Sequence, residues 1–327
     1  RFFHPDGKAR FVAVAHKAPA AKTGRRYPFR LNTGRVRDQW HTMTRTGLSA
    51  RLSSHLAEPY IDVHPEDAAR LDIELADLVD VQSPSGTCIL RARITTDVKP
   101  GEVFAPMHWT GETAPSARID ALVAAAVDPV SGQPESKASV VSIAKLKADW
   151  YGFAVSKDTP QPDCAYWALA RTQTGFRVEL AGRETPSDWE EAARRLFGLP
   201  DAQVGSFVDP ARKVHRFAFH DNNRLIAALF IAPEPVAIMR DYLVTRPGEP
   251  VGSVLIGRTP AHIPDPGPVL CSCFGVGINT IARAVEEQTL LTVEDVGHAL
   301  KAGTNCGSCQ PEIANLLKTL TVPQAAQ

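Results

Sequence analysis

Over most of the first half of the chain, apolar and polar residues alternate in short runs; clear helical spacing appears mainly towards the end. Phe11-Val12-Ala13-Val14, Phe29-Arg30-Leu31, Leu78-Val79-Asp80-Val81, Cys88-Ile89-Leu90-Arg91-Ala92 and Glu102-Val103-Phe104 read as strands. Two of these are joined across the turn Ser83-Pro84-Ser85-Gly86. Val63 to Leu71 reads as a short helix, with Pro65 near its start and Glu66 and Asp67 in its first turn. Between Asn32 and Thr46 no period of 2 or 3.6 holds, which predicts a long polar loop. Further on, Ser187-Asp188-Trp189-Glu190 predicts a capping box opening a helix through Phe197. Val214–Phe219 and Leu225–Phe230 flank Asp221-Asn222-Asn223, a hairpin signal. Ile263 to Pro268 predicts a stiff linker. Beyond it, Asn279 to Val285 is helical, Thr292 is placed to cap a helix containing Val296 and Leu300, and Pro311 suits the first turn of a last helix.

With 327 residues, the chain has room for two or three domains with their own cores. Thirty-six basic side chains balance thirty-six acidic ones, so no global field attracts nucleic acid or an anionic membrane. No apolar run approaches the roughly twenty residues of a membrane span. The sequence opens Arg1-Phe2-Phe3, so the expectation is the tail of a longer polypeptide.

Chemistry concentrates in the cysteines. Four of the six form two tight pairs, Cys271-x-Cys273 and Cys306-x-x-Cys309, while Cys88 and Cys164 stand alone upstream. That distribution argues against a disulfide framework and for a metal site in a reducing cytoplasm. Structural zinc and iron–sulfur are both open. Cys-x-Cys is tighter than the usual zinc knuckle, and Gly275, Gly277, Gly303 and Gly307 allow backbone to crowd the sulfurs, which favours iron–sulfur. The order Cys-x-Cys-Phe-x-Val, two short helices, Thr-x-Cys-Gly-x-Cys and a closing helix resembles the bacterioferritin-associated ferredoxin-type [2Fe–2S] domain. The resemblance makes all four cysteines cluster ligands.

The polar loop gathers arginine, histidine and threonine, donor types that hold phosphates and polar heterocycles. On composition alone, a solvated surface loop explains it equally well. Four pieces in order change the balance: Thr33-Gly34-Arg35 with Trp40-His41-Thr42, then His64-Pro65-x-Asp67-Ala68, then Pro106-x-His108-Trp109, and finally Asp128-Pro129-x-Ser131-Gly132-Gln133-Pro134-Glu135-x-Lys137. Together they resemble the C-terminal double-psi β-barrel of molybdopterin-dinucleotide oxidoreductases, most closely the cytoplasmic assimilatory nitrate reductases. The resemblance implies that Thr33, Gly34, Arg35, Trp40, His41, Thr42 and Lys137 contact bis(molybdopterin guanine dinucleotide). It places Asp120 where the family usually has asparagine, and Met107 and His108 near the substrate. It further implies reduction of nitrate to nitrite. The electrons would come from an NADH-dependent flavoprotein or a ferredoxin, and the molybdenum ligand and a [4Fe–4S] cluster would lie upstream of this chain.

The expected layout is therefore a cofactor-binding barrel over 1–148, a small α/β domain over 149–262 and a small all-α [2Fe–2S] domain over 263–327. The middle hairpin resembles a small domain at the end of some flavin-dependent reductases. It carries no nucleotide fingerprint, and His215 and His220 read as strand and turn residues, so a docking or spacer role is expected. Two rival readings stand beside nitrate reduction. One is a related oxidoreductase acting on formate or another oxyanion; the other is a non-catalytic module for electron transfer and cofactor binding.

Overall fold

The computed structural model describes residues 2–11, 13, 15–260 and 263–321. Val12 and Val14, half of the first expected strand, lie outside them, and Phe11 is exposed and in no strand. The first barrel strand is β1, Phe29–Gly34. A four-residue helix α1, Ala50–Ser53, leads to β2, Tyr60–Val63, and to α2, Pro65–Arg70. Then come β3, Leu78–Gln82, β4, Thr87–Ile94, β5, Glu102–Pro106, and β6, Ser139–Lys145. These six strands close a barrel in the order β1-β5-β2-β4-β3-β6, with β1–β5 and β2–β4 parallel and the other pairs antiparallel. Closure removes free edges, and alternate residues such as Phe29 and Leu31, Cys88, Leu90 and Ala92, and Val103 and Ala105 fill the interior. The expected loop begins later than its polarity suggested. Asn32, Thr33 and Gly34 extend β1, because β5 pairs with them as far as Gly34 opposite Pro106.

The middle segment is one six-stranded sheet: β7, Trp150–Ser156, β8, Tyr166–Thr172, β9, Gly175–Gly182, β10, Gln203–Asp209, β11, Val214–Asp221, and β12, Arg224–Ala232. All its pairs are antiparallel, in the order β10-β11-β12-β7-β9-β8. The expected α/β character is therefore a sheet with one longer helix, α3, Trp189–Phe197. Asp188, and not Ser187, caps α3, accepting from the Glu190 and Glu191 amides at 2.8 and 3.0 Å. The hairpin stands as expected: Asp221 pairs with Arg224, and Asn222 and Asn223 both take positive φ, as a two-residue turn of this hand requires.

Each residue of β7 is buried, because the sheet is covered on both faces. Trp150, Ala154, Leu180, Phe219 and Leu229 pack under Leu196 and Phe197 of α3. The opposite face, with Tyr151, Phe153, Val155, Tyr166 and Phe230, shares a single core with the barrel. A buried charge group reinforces this junction. Glu179 of β9 accepts from Arg177 and, through both carboxylate oxygens, from Arg240 of a short helix α4, Arg240–Leu243. Arg91 of the barrel reaches Glu58, which also accepts from the Tyr166 hydroxyl at 2.7 Å.

The last segment adds β13, Val269–Cys271, β14, Val276–Gly277, α5, Ile278–Gln288, α6, Val293–Leu300, and α7, Gln310–Thr321. Thr292 caps α6 in a capping box with Asp295. The expected all-α unit thus carries a short two-stranded ribbon, formed where the chain reverses between Cys271 and Val276. Leu270, Ile281, Val285, Val296, Ala302, Ile313 and Leu317 form its core. The proline-rich approach to it is no free spacer. The Pro266 carbonyl accepts from the Asn279 and Thr280 amides at 3.0 and 3.3 Å, capping the start of α5, and Pro268 accepts from Ile278 at 2.9 Å.

Candidate metal centre and cofactor loop

Two reversals bring the cysteines together. Cys271 ends β13, and the turn from Ser272 to Gly275, with Gly275 at φ +64°, carries Cys273. Cys306 and Cys309 sit in the turn that opens α7, beside Gly303 and Gly307 at φ +82° and +73°. The sulfurs meet two by two: Cys273 Sγ is 3.4 Å from Cys306 Sγ, and Cys309 contacts Cys271. The second pair is buried, whereas Cys306 is exposed and Cys273 half-buried. Asn305 Nδ2 donates to Cys273 Sγ at 3.3 Å, and the Gly303 amide reaches Cys309. Hydrogen bonds from the Ser308 hydroxyl and amide hold the Cys306 thiol below its usual range. Burial, with Cys271 alongside, pushes the Cys309 thiol up to about 11.

The chemistry of the donor set decides which metal fits. A tetrahedral zinc with Zn–S near 2.3 Å draws all four sulfurs to about 3.8 Å of one another. Among the described residues, no group of three or more His, Cys, Asp or Glu side chains is arranged to hold a single ion. Two thiol pairs, with amide and side-chain N–H groups aimed at the sulfurs, fit a two-iron rhomb that takes two thiolates on each iron. The start of α7 adds the positive end of a helix beside Cys309.

The loop after β1 is shaped from inside by one side chain. His108 is completely buried; its Nε2 accepts the Val36 amide at 2.9 Å, and its Nδ1 donates to the His41 carbonyl at 2.6 Å. Burial, with the Arg35 charge nearby, lowers the pKa of this imidazole, although the hydrogen bond to His41 opposes the shift. A neutral ring satisfies both contacts. Both ring nitrogens are thus committed to the loop, which makes His108 its internal brace. His41 turns its carbonyl inward by taking φ +45°.

Around that brace most of the expected contacts converge. The Arg35 guanidinium lies 4.6 Å from the Trp40 ring centroid, and His41 packs edge-on against the same ring, also at 4.6 Å. Trp40 is 56 % exposed, so this group faces outward as a platform. Lys137 Nζ donates to the Thr33 carbonyl, and Thr33 Oγ1 donates to the Ser136 carbonyl at 2.9 Å, which brings the distant lysine to the start of the loop. Gly34 has no room for a side chain: a Cβ there would lie 2.5 Å from the Phe104 ring. The Met107 amide donates to the Gly34 carbonyl at 3.0 Å, while its side chain stays partly exposed. Thr42 is exposed at the loop's tip, and Asp120 is exposed on a turn at Ile119–Leu122. Among the described residues no side-chain hydrogen bond joins Asp120 to this group.

The sequence reading missed a polar network that joins the two sites. Arg37 Nη2 donates to the Leu270 carbonyl, and Arg37 Nη1 lies 2.9 Å from Glu312 Oε2. Asp38 Oδ2 accepts from Ser272 Oγ at 3.0 Å and faces His55 Nδ1 at 3.0 Å and Arg37 Nε at 3.2 Å. Burial opposes ionisation of Asp38, but His55, Arg37 and Ser272 outweigh it and hold its carboxyl below the usual range. Leu270 and Ser272 flank Cys271, and Glu312 follows Cys309 by three residues. Beside this junction a cavity of about 600 Å³ opens onto Cys273 and Phe274, with Arg51 and Arg171 on its wall.

Comparisons with known proteins find likenesses over both segments. Residues 29–140 match the family described as Molydopterin dinucleotide binding domain, and residues 269–319 match the BFD-like [2Fe-2S] binding domain. The chain is similar to "Nitrate reductase" of Klebsiella oxytoca, 36 % identical over 96 % of this chain and 36 % of that protein. It is also similar to "Assimilatory nitrate reductase catalytic subunit" of Bacillus subtilis, 33 % identical over 43 % of this chain and 20 % of that protein. "F420-dependent formate dehydrogenase subunit alpha" of Methanocaldococcus jannaschii is 35 % identical over 45 % of this chain and 21 % of that protein. The chain spans about a third of the length of the Klebsiella relative. Among the described residues no helix is long and apolar enough to cross a membrane.

Proposed function

We propose, for a chain that carries a molybdopterin dinucleotide-binding domain and a BFD-like [2Fe–2S] domain, that it is the C-terminal part of a molybdenum-dependent assimilatory nitrate reductase of the cytoplasm. In this reading the barrel is of the double-psi type and the domains divide near residues 148 and 262. The upstream part carries the molybdenum ligand and a [4Fe–4S] cluster. Bound at the loop, bis(molybdopterin guanine dinucleotide) supplies oxygen-atom abstraction, in which nitrate takes up two electrons and two protons and leaves as nitrite and water. Bound at the four cysteines, a [2Fe–2S] cluster supplies one-electron transfer.

The residues divide the remaining work. Thr33, Gly34 and Lys137 fix the start of the loop, Arg35 and His41 offer donors to phosphate and heterocycle, and Trp40 offers a flat face for stacking. His108 holds the loop's shape, so Met107 is the better placed of the two strand-end residues to approach a substrate. At the other site, Cys271 and Cys309 are buried in the segment's own core, whereas Cys306 is exposed and Cys273 half-buried beside it. That polarity carries the proposal. An electron donor, a flavoprotein or a ferredoxin, has access to the outer thiol pair, while the inner pair is fastened through Ser272 and Arg37 to the cofactor loop.

The formate dehydrogenase likeness over the barrel supports a second reading, in which the same cofactor oxidises formate. Assays of the intact protein separate the two. With reduced viologen and nitrate, nitrite should accumulate, while formate with an oxidised acceptor should give no turnover; formate oxidation without nitrite formation would replace this proposal with the second.

A further inference from the structure

The two cofactor sites share one loop, and its midpoint belongs to both. Residues 35–42 form no strand or helix. From inside, His108 holds Val36 and His41. From outside, the grip comes from His55, which faces Asp38 at 3.0 Å, and from the cysteine-bearing segment; the Arg37 side chain is 14 % exposed and that of Asp38 9 %. Arg37 pairs with Asp38 inside the loop, and docking adds the Glu312 carboxylate and the Leu270 carbonyl, which take up the guanidinium's remaining N–H groups. Asp38 likewise takes up the Ser272 hydroxyl. Each contacted residue is beside or within three positions of a cysteine, so moving either cysteine turn pulls on the loop.

Resting on the assignment of these two sites to their cofactors, we propose that Arg37 and Asp38 are positioning residues that couple the sites. Ligation of the four cysteines fixes the turns that grip the loop, and the gripped loop holds the molybdopterin dinucleotide more tightly. Such coupling is reciprocal, because a change in one site's affinity on filling the other must equal the converse change. Arg35, His41 and Trp40 then owe part of their arrangement to a segment more than 230 positions away.

The test uses the intact protein, with substitutions outside the loop that replace none of the four cysteines. Glu312→Gln keeps size and removes the charge facing Arg37; Ser272→Ala removes the hydroxyl facing Asp38. In the iron-loaded double variant, a visible charge-transfer spectrum and an iron content per protein equal to wild type, with the upstream cluster counted in both, report that the cysteine segment is folded and filled. In that state, amide hydrogen exchange across residues 35–42 should rise about fivefold or more over wild type, within the usual range of coupling between sites. Molybdenum and guanine nucleotide per protein after gel filtration should fall. Stripping iron from wild type should loosen the same amides, and stripping it from the double variant should add little. Wild-type exchange and molybdenum content in the iron-loaded double variant would overturn the coupling. If the double variant fails to retain iron, Glu312→Gln alone, whose side chain is 44 % exposed, gives the same reading with the same two outcomes. Neither readout involves turnover, so a change of substrate from nitrate to formate would leave the result untouched.

Discussion

Replacing His108 by alanine tests the internal brace of the cofactor loop. The wild-type ring is fully buried and makes two hydrogen bonds, to the Val36 amide at 2.9 Å and the His41 carbonyl at 2.6 Å. Removing it forfeits about 1 kcal/mol for each bond and leaves a buried amide and a carbonyl without those partners. With the cavity left by a medium-sized ring added, the loss is about 3–5 kcal/mol. Urea unfolding followed by tryptophan fluorescence reports it, since Trp109 is buried beside the site. Hydrogen exchange at Val36 gives the local reading, and protection there should be lost in the variant. The lowered pKa of His108 sets a further sign. The unfolded chain takes up its proton near pH 6.5, before the folded one does. The stability that the neutral ring contributes is therefore complete above that pH and is lost as pH falls through the lower folded value. His108→Ala should remove this pH dependence. A variant within 1 kcal/mol of wild type, with Val36 still protected, would refute the brace.

Three other outcomes follow from the same geometry. Arg35→Ala and Lys137→Ala should each lower molybdenum and guanine nucleotide per purified intact protein, and wild-type occupancy in both would remove them from the cofactor site. Gly277→Ala would place a Cβ 2.1 Å from the Pro266 carbonyl oxygen, so the ribbon must shift; a loss of about 1–3 kcal/mol and reduced iron incorporation should be seen, and full incorporation would contradict the close packing. For Glu179, burial opposes ionisation, but Arg240, Arg177 and Arg91 hold its carboxyl down at about 2. Its contribution is complete above the ordinary carboxylate value and is lost as pH falls through about 2, so Glu179→Gln should flatten acid unfolding there while costing about 3–5 kcal/mol at neutral pH.

What the sequence disclosed and what it withheld divide along physical lines. The Asn222-Asn223 turn and the Thr292 cap act over four residues or fewer, and both stand in the structure as their residue types demand. The cysteine pairs were legible because no packing role calls for two tight pairs of thiols. By contrast, the polarity of Asn32 and Thr33 hid their place in β1, which is set by β5, some seventy residues on. Ser187 and Asp188 are both good caps, and sequence alone does not rank them. The prolines before β13 suggested stiffness but not that their carbonyls would cap α5. His108 drew attention as a polar residue at a strand end, whereas its burial and its two backbone partners come from the folded loop. The Arg37–Asp38 network was invisible for a simpler reason: its partners in the cysteine-bearing segment lie more than 230 positions away and have no local signature.

The metals held by the intact protein distinguish a molybdenum and iron–sulfur enzyme from a zinc-bound module most directly. Elemental analysis of the purified intact enzyme, with its guanine nucleotide, should find molybdenum and iron together, with iron retained by the segment that carries Cys271, Cys273, Cys306 and Cys309. Zinc in place of iron, with neither molybdenum nor guanine nucleotide, would contradict the enzyme reading.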